Sequence, residues 1–462
     1  MKFEEFQLER NQSTWENKVD YNLTESGVHP GTLKTLFNSD FIEKIQNTEI
    51  TYGFTEGSPQ LRESIASIYE GATIDNIQAF NGSAEANMVS ILTLIEPGDE
   101  MVYMMPNYLQ IYGFARGIGA NVKTFHLKES LEWKPDLEEL SSIVSDKTKL
   151  ICICNPNNPT GSVLPKDMVH KIGEIAQRVN AWILSDEVYR GAELDGNECN
   201  SFWEIGYEKT IVNCGLSKAY GLPGLRLGWS ISNKDYINQC WATHDYTSIS
   251  IGRLSDVIGS YVLHPDNRLN TLDQIRKSLN NNLELFQNWL EGFGNHFRFI
   301  PPQAGAMAFV GYDWKINSSK LIEKLRDETS VMLVAGDWSF PLSLLRSESE
   351  SVRVSALHLI GLMLDQVAEA GQASFRWAWR QNQLVPPPSH YLIAVKESLR
   401  RHTATASTME ALLDLLFGSS KTSDDGKDDE NDENADDKVV EEEEDVDDDD
   451  GKNDVKSNDD NE

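Results

Sequence analysis

Short apolar runs alternate with amphipathic helical stretches between about residues 51 and 260 of this chain. The apolar runs have the length of buried strands, and the stretches between them carry apolar residues at helical spacing. Because parallel strands need a crossover between them, this alternation predicts an α/β domain with a mainly parallel sheet. The predicted strands lie at 101–105, 150–154, 181–186 and 210–215, and the clearest helices lie at 83–95 and 165–179.

Polar residues stand at the ends of several of these apolar runs. Asn155 follows one run, Asp186 ends another, and Ser217 comes shortly after a third. Sites in α/β domains form at the carboxyl edge of the sheet. We therefore expect the functional site at this edge.

A single lysine, Lys218, lies in the glycine-rich stretch GLSKAYGLPGLRLGW at 215–229. A lysine that is removed from water has a lowered pKa and can form a Schiff base with a carbonyl. Arg226, eight residues later, offers a fork of N–H donors that suits a phosphate. An amine and a phosphate-binding arginine together fit pyridoxal 5′-phosphate (PLP), which has both an aldehyde and a phosphate. The alternative, a solvated surface lysine, stays open at this point.

A PLP site needs further parts, and the sequence offers candidates for those that face the ring. Asp186 ends a predicted buried strand and could keep the pyridine nitrogen protonated. Tyr189, three residues later, and Asn158 in the turn NPNNPTG could bind the ring hydroxyl. An N-cap role for Asp186 and a simple tight turn at Asn158 are the structural alternatives.

The phosphate and the ring face have candidates as well. Gly82, Ser83 and Ala84 open the predicted helix at 83–95, where free backbone N–H groups can bind a phosphate. Tyr108, in the stretch PNYLQIY, offers a ring for stacking, although a lone aromatic residue is commonly part of a core.

The segments YGFTEGSPQLR, NGSAEA, PNY, NPNNPTG, SDEVY and GLSKAYGLPGLRLGW occur in this order. The ordered set resembles the class I/II (fold-type I) aminotransferases over about residues 1–340. The resemblance implies the PLP-dependent transferase fold of the aspartate aminotransferase type. Such a fold has a large domain with a mostly parallel seven-stranded sheet, a small α+β domain built from both chain ends, and a homodimer with shared active sites. The implied reaction moves an amino group between an α-amino acid and a 2-oxo acid.

The resemblance also implies roles for the ring-binding residues. Lys218 would carry the internal aldimine and move the proton between the substrate Cα and the cofactor. Asp186 would pair with the pyridine nitrogen, and Asn158 and Tyr189 with the ring oxygen. Tyr108 would stack on the ring.

The same resemblance assigns the phosphate and the neighbouring subunit. The phosphate would be held by Arg226, Ser217 and the amides of Ser83 and Ala84. Tyr52 matches the position that reaches the phosphate of the neighbouring subunit, so the site is expected to need a dimer.

The substrate side of the site follows the family less closely. Gly27 falls where the N-terminal segment of the family covers the substrate, and Arg353 is the candidate for binding the substrate carboxylate. Gly215 replaces a serine that the family often has, so one phosphate hydrogen bond is expected to be missing. No second arginine is evident for a dicarboxylic side chain, which disfavours aspartate or glutamate as the preferred donor.

The chain is predicted to divide into five parts, of which the last two are atypical of the family. Residues 351–371 have a helical apolar pattern, and residues 421–462 contain 22 Asp and Glu against 5 Lys, or −17 of the net charge of −32. The parts are an N-terminal arm at 1–50, a large PLP-binding domain at 51–290, a small domain at 291–340, a helical segment at 341–418, and an acidic disordered tail at 419–462.

Two other functions stay open beside transamination. The same cofactor residues serve lyases, cyclases and oxidases that act on amino acids, and the atypical C-terminal part allows a non-catalytic fusion with an incomplete small domain. The acidic balance argues against nucleic-acid binding. No apolar run is long enough to span a membrane, no secretory signal is visible, and the five cysteines lack a CxxC pattern, so a cytoplasmic location is expected. The nine histidines show no ligand spacing, and we expect no metal site.

Overall fold

The fold is described from a computed structural model that covers residues 2–292, 296–312, 314 and 316–340, and the backbone alone of 354–357. All of these residues belong to one compact unit. The strands are β1 (Tyr21–Asn22), β2 (Ile77–Phe80), β3 (Glu100–Met105), β4 (Asn121–Lys128), β5 (Lys134–Pro135), β6 (Thr148–Cys154), β7 (Trp182–Asp186), β8 (Thr210–Gly215), β9 (Gly228–Ile231), β10 (Phe297–Phe299), β11 (Ala308–Tyr312), β12 (Val331–Met332) and β13 (Val354–Leu357). The helices are α1 (Gln7–Trp15), α2 (Leu33–Leu36), α3 (Ser39–Gln46), α4 (Pro59–Ala66), α5 (Ser83–Leu94), α6 (Gln110–Ile118), α7 (Leu137–Ile143), α8 (Lys166–Arg178), α9 (Lys234–His244), α10 (Arg253–Val262), α11 (Pro265–Glu291) and α12 (Ser318–Thr329).

The largest sheet has the strand order β2-β9-β8-β7-β6-β3-β4-β5. Its central pairs, from β8 through β7, β6 and β3 to β4, are parallel, whereas β9 runs antiparallel to both of its neighbours, β8 and the edge strand β2. The predicted α/β fold with a mostly parallel sheet is therefore confirmed. The strand count differs from seven, because the two residues of β5 add an antiparallel edge strand to the end of β4.

The core of this unit packs helices α5, α6 and α9 against strands β3, β6 and β7. Every residue of β8 is buried, and β6 is nearly as well covered. Strands that are covered on both faces lack the alternation of polar and apolar residues that marks a half-exposed strand. This explains why these strands are recognisable as continuous apolar runs.

Two smaller sheets lie outside the large one. Strands β10, β11 and β13 form an antiparallel sheet, and β1 pairs in parallel with β12, with Tyr21 opposite Val331. The N-terminal residues thus contact the segment after α12, as a small domain from both chain ends requires. The domain boundaries themselves stay predictions.

The structure corrects the sequence-based predictions at two places and adds detail to the N-terminal arm. Residues 354–357 form strand β13 rather than part of a helix, because they pair with β11. The apolar stretch VMLVAGD at 331–337 also predicts a strand, but the structure forms strand β12 only at Val331–Met332 and a 3-10 helix at Gly336–Ser339. The N-terminal arm contains helices, of which α1 places Trp15 under the guanidinium of Arg326 at 4.0 Å.

The remaining predictions for residues 341–353 and 358–462 lie outside the described residues. Among the described residues, no helix combines the length and the apolar character that crossing a membrane requires.

Candidate active site

Lys218 lies in the turn that follows β8, at the carboxyl edge of the large sheet. The amide of Leu222 donates to the carbonyl of Leu216 at 2.9 Å and closes this turn around the lysine. The side chain of Lys218 is 26% exposed, and its Nζ lies 3.6 Å from Oε2 of Glu25. The only basic side chain of the turn is therefore mostly buried and points to an acidic neighbour, which is not the setting of an ordinary surface lysine.

Asp186 ends β7, the strand beside β8, so its carboxylate and the lysine turn share one edge of the sheet. The Oδ2 atom accepts a hydrogen bond from Nδ2 of Asn87 at 2.9 Å, and Oδ1 accepts from the amide of Val188 at 3.3 Å. The surrounding protein removes water from this carboxylate and raises its pKa, while Asn87 and the charge of Lys218 act in the opposite direction. A carboxylate in this setting can hold a protonated ring nitrogen.

Glu187, the next residue, is fully buried on the other side of the strand end. Its Oε1 accepts from the amide of Phe202 at 2.8 Å and from the hydroxyl of Ser185 at 3.1 Å. Burial raises the pKa of Glu187 to about 7, although the charge of Arg190 lowers it. Neighbouring carboxyl groups on one strand end thus have separate environments.

Asn158 and Tyr189 meet at the same edge. Nδ2 of Asn158 donates to the Tyr189 hydroxyl at 3.1 Å, and that hydroxyl donates to Oγ of Ser26 at 2.7 Å. Burial raises the pKa of Tyr189, so its hydroxyl stays protonated. The pair therefore presents an amide N–H and a phenol O–H as hydrogen-bond donors.

A cradle for an anion lies at the start of α5. Gly82 caps this helix with φ of +90°, and a Cβ atom there would lie 2.5 Å from Nη2 of Arg226. The guanidinium of Arg226 also donates to Oγ of Ser217 at 3.4 Å and to the carbonyl of Pro223 at 3.1 Å. The free N–H groups of Ser83 and its neighbour Ala84 open the helix toward the same place, and such groups bind phosphates.

Gly215, the position without the expected serine, has little space around it. A Cβ atom there would lie 2.9 Å from the carbonyl oxygen of Leu227 and 3.3 Å from Cα of Gly228. The close approach of β9 thus accounts for a glycine at the end of β8.

Tyr108 lies between β3 and α6, and it contacts the N-terminal segment. Its hydroxyl donates to Oε1 of Glu9 at 2.5 Å, and its ring lies 5.0 Å from the ring of Phe6. Burial and the charge of Glu9 raise the pKa of Tyr108. Gly27, on the same segment, lies against the lysine turn, because its Cβ would be 3.3 Å from the carbonyl oxygen of Ser217.

Two predicted site residues remain, Tyr52 and Arg353. Tyr52 is 86% exposed and lies away from the cluster, and its contact with a neighbouring subunit stays a prediction. Arg353 lies outside the described residues.

Sequence reasoning missed the polar residues behind Asp186. Asn87 donates to that carboxylate, and it accepts a bond from Nδ2 of Asn213 at 2.8 Å, whose Oδ1 accepts from Ser230. The one sequence signal for this role was a polar residue, Asn87, on the buried face of α5. Glu25 and Ser26 were missed as well, because they contact the site only through the folding of the N-terminal segment.

The anion cradle and the set of donor side chains fit PLP. Because Gly82 has no Cβ, the guanidinium of Arg226 can lie against the start of α5, and together they present positive charge to an anion. Lys218 supplies the amine, and Asp186 supplies the carboxylate for the ring nitrogen.

Comparisons with known proteins agree with this geometry. The family described as "Aminotransferase class I and II" matches residues 34–360. An aspartate aminotransferase of Pyrococcus horikoshii is 24% identical over 286 residues, which cover 61% of this chain and 73% of that protein. The glutamate-pyruvate aminotransferase AlaA of Haemophilus influenzae is 31% identical over 200 residues, which cover 42% of this chain and 50% of that protein.

A solved structure extends the agreement to the fold. The crystal structure of a PLP-dependent aminotransferase from Streptococcus suis superposes with a TM-score of 0.72 and 32% identity, and the match covers 79% of this chain and 96% of that one. The lysine turn, the paired carboxylate and the anion cradle thus occur in a chain that belongs to the class I and II aminotransferases, with pyridoxal phosphate as its cofactor.

Proposed function

We propose that this enzyme transfers the amino group of an α-amino acid to a 2-oxo acid, with Lys218 as the catalytic residue. PLP, when bound, supplies an aldehyde that accepts the amino group and a ring that draws electrons from the Cα–H bond. The observation that carries the proposal is that Lys218 and Asp186 lie at the ends of adjacent parallel strands, β8 and β7, beside the cradle of Gly82 and Arg226.

The site residues have complementary tasks in this proposal. Nζ of Lys218 holds the cofactor and later takes the proton from the substrate Cα. Asp186 keeps a proton on the ring nitrogen, and Asn158 and Tyr189 orient the ring through its oxygen. Tyr108 covers one face of the ring.

The phosphate end is held apart from the reacting atoms. Arg226, Ser217 and the start of α5, with Gly82, Ser83 and Ala84, would bind the phosphate. Because the phosphate does not react, its binding energy fixes the position of the ring relative to Lys218.

A single-turnover experiment without a 2-oxo acid tests the reaction type. A transaminase releases one equivalent of oxo acid per site and then stops until a 2-oxo acid is added. Continued product formation without that acceptor would show a lyase, cyclase or oxidase instead. Lys218→Ala should abolish the reaction, whereas Lys171→Ala, at an exposed lysine on α8, should leave it unchanged.

We propose further that the enzyme works as a homodimer and that Tyr52 reaches the phosphate of the partner subunit. Tyr52 is exposed together with Ile50 and Phe54 beside it in the chain, and exposed apolar side chains that lie together mark protein–protein interfaces. Mixing Lys218→Ala and Tyr52→Phe subunits should restore activity, because each hybrid dimer contains one intact site. Equal inactivity of the mixture and of the separate variants would contradict shared sites.

The substrate and the location complete the proposal. Arg353 would bind the α-carboxylate of the substrate, since the next residue begins β13 and pairs with Gly311 of β11. Gly27 would let the N-terminal segment lie close to the substrate. We also propose a cytoplasmic location, because all five cysteines are buried free thiols.

A further inference from the structure

The carboxylate of Glu25 holds a cation at the reacting end of the site. Its Oε2 lies 3.6 Å from Nζ of Lys218, and its side chain is 45% exposed. The amine that it holds here is the one that the cofactor uses. With the cofactor bound to Lys218, Glu25 loses this ammonium partner, and a partly desolvated carboxylate favours a new cation.

The backbone around this carboxylate is fixed. We call residues 22–27 the N-terminal wall. Nε2 of Gln12 donates to the carbonyl and to Oγ1 of Thr24 at 3.2 and 3.0 Å. On the other side, Ser26 accepts the hydrogen bond from the Tyr189 hydroxyl. The residue between Thr24 and Ser26 is thus held from both sides and keeps its direction toward the lysine.

A second carboxylate lies at the same edge of the sheet. Glu9 accepts the hydrogen bond from the hydroxyl of Tyr108, which stands at the end of β3. Because β3 and β8 belong to the parallel part of the sheet, their carboxyl ends lie on one side, and Glu9 and Glu25 both add negative potential there.

We propose that the amino donor is an α-amino acid with a cationic side chain, an ammonium or a guanidinium, and that Glu25 binds this cation. The inference rests on the proposed transamination. Glu9 strengthens the negative potential, so that a dicarboxylic donor meets repulsion at the position where a basic donor meets attraction.

Arginine and citrulline form a matched pair of donors, because they differ in charge and scarcely in shape. With the PLP-loaded enzyme, we expect kcat/KM of the acceptor-free half-reaction to be about tenfold higher for arginine than for citrulline. This factor corresponds to the weakest hydrogen bonds that charged groups make, because Glu25 is half-exposed. Glu25→Gln should bring the ratio close to one. Glu5→Gln removes an exposed charge of the same segment, which pairs with Arg10, and should leave the ratio as it is.

Binding provides a readout that needs no turnover. 5-Guanidinopentanoate and 5-ureidopentanoate have the side chains of arginine and citrulline but lack the α-amino group and cannot react. Calorimetry should show the guanidino compound binding about tenfold more tightly, and Glu25→Gln should remove this difference.

The two experiments separate the inference from the proposed function. Equal binding of the two analogues, or a preference that survives Glu25→Gln, overturns the cationic donor. A charge preference in binding that depends on Glu25, without release of oxo acid from any donor, supports the cation site and refutes transamination.

Discussion

Replacing Gly82 by alanine tests the anion cradle, because the added methyl group would stand where Arg226 now lies. The Cβ atom would be 2.5 Å from Nη2 of Arg226, closer than nonbonded atoms approach, so the guanidinium has to move away. A phosphate that loses one charge-assisted hydrogen bond binds less tightly by about 1.5–3 kcal/mol. We therefore expect the dissociation constant of PLP to rise about 10- to 150-fold.

The backbone of Gly82 adds a second, separate cost. Its φ of +90° is a conformation that alanine adopts only with strain of about 1–3 kcal/mol, which should appear as lower stability. Gly98 has φ of +92°, and an added methyl group there would have no other atom within 4 Å, so Gly98→Ala has the strain without the contact. Both variants should lose stability, and only Gly82→Ala should lose cofactor affinity.

The assay is a titration of the cofactor-free enzyme with PLP and with pyridoxal, which lacks the phosphate. Tryptophan fluorescence quenching gives both dissociation constants. Gly82→Ala should weaken PLP and leave pyridoxal nearly unchanged. A parallel loss for both compounds, or an equal loss of PLP affinity in Gly98→Ala, would refute the assignment of the cradle to the phosphate.

Three further predictions concern residues around this site. Asn87→Ala removes a hydrogen bond that lowers the pKa of Asp186, so the acid limb of the kcat/KM profile should move to higher pH; an unmoved limb would contradict this role. The pKa of Glu187 is about 7 in the folded enzyme and about 4.5 in the unfolded chain, so the folded state binds this proton more tightly. The free energy of unfolding of the cofactor-free enzyme, measured in urea, should therefore fall by about 3 kcal/mol as the pH rises from about 4.5 to 7. Glu187→Gln should abolish that fall, and a fall that persists would assign it to other groups. Arg353→Lys should raise KM of the donor about tenfold or more without changing PLP affinity, since lysine cannot bind a carboxylate through two parallel hydrogen bonds. An unchanged KM would contradict binding of the substrate carboxylate by this arginine.

The chemistry of the ring-binding residues could be predicted from the sequence because its signals are local. Lys218 and Asp186 each follow a continuous apolar run, and parallel strands bring such run ends to one edge without further information. The turn chemistry at Asn158 and the glycine at position 82 are equally short-range.

The features that sequence reasoning missed depend on distant partners. Residues 354–357 have a pattern that suits a helix, but pairing with β11, more than forty residues away, makes them a strand. Asn87 meets Asp186 across 99 positions of the chain, and nothing in the sequence around Asn87 indicates that partner. The position of Glu25 depends on the path of the whole N-terminal segment over the site.

The hydroxyl group of Tyr189 can donate one hydrogen bond, and in this structure Oγ of Ser26 accepts it. If the ring oxygen of the cofactor accepts this hydrogen bond instead, Ser26 can keep its contact with Tyr189 only by donating its own hydroxyl hydrogen to the Tyr189 oxygen. The N-terminal wall then stays in place. The direction of a single hydrogen bond therefore ties the occupancy of the site to the segment that closes it. Such a reversal costs no contact, so the enzyme can keep the same wall in its empty and its loaded forms.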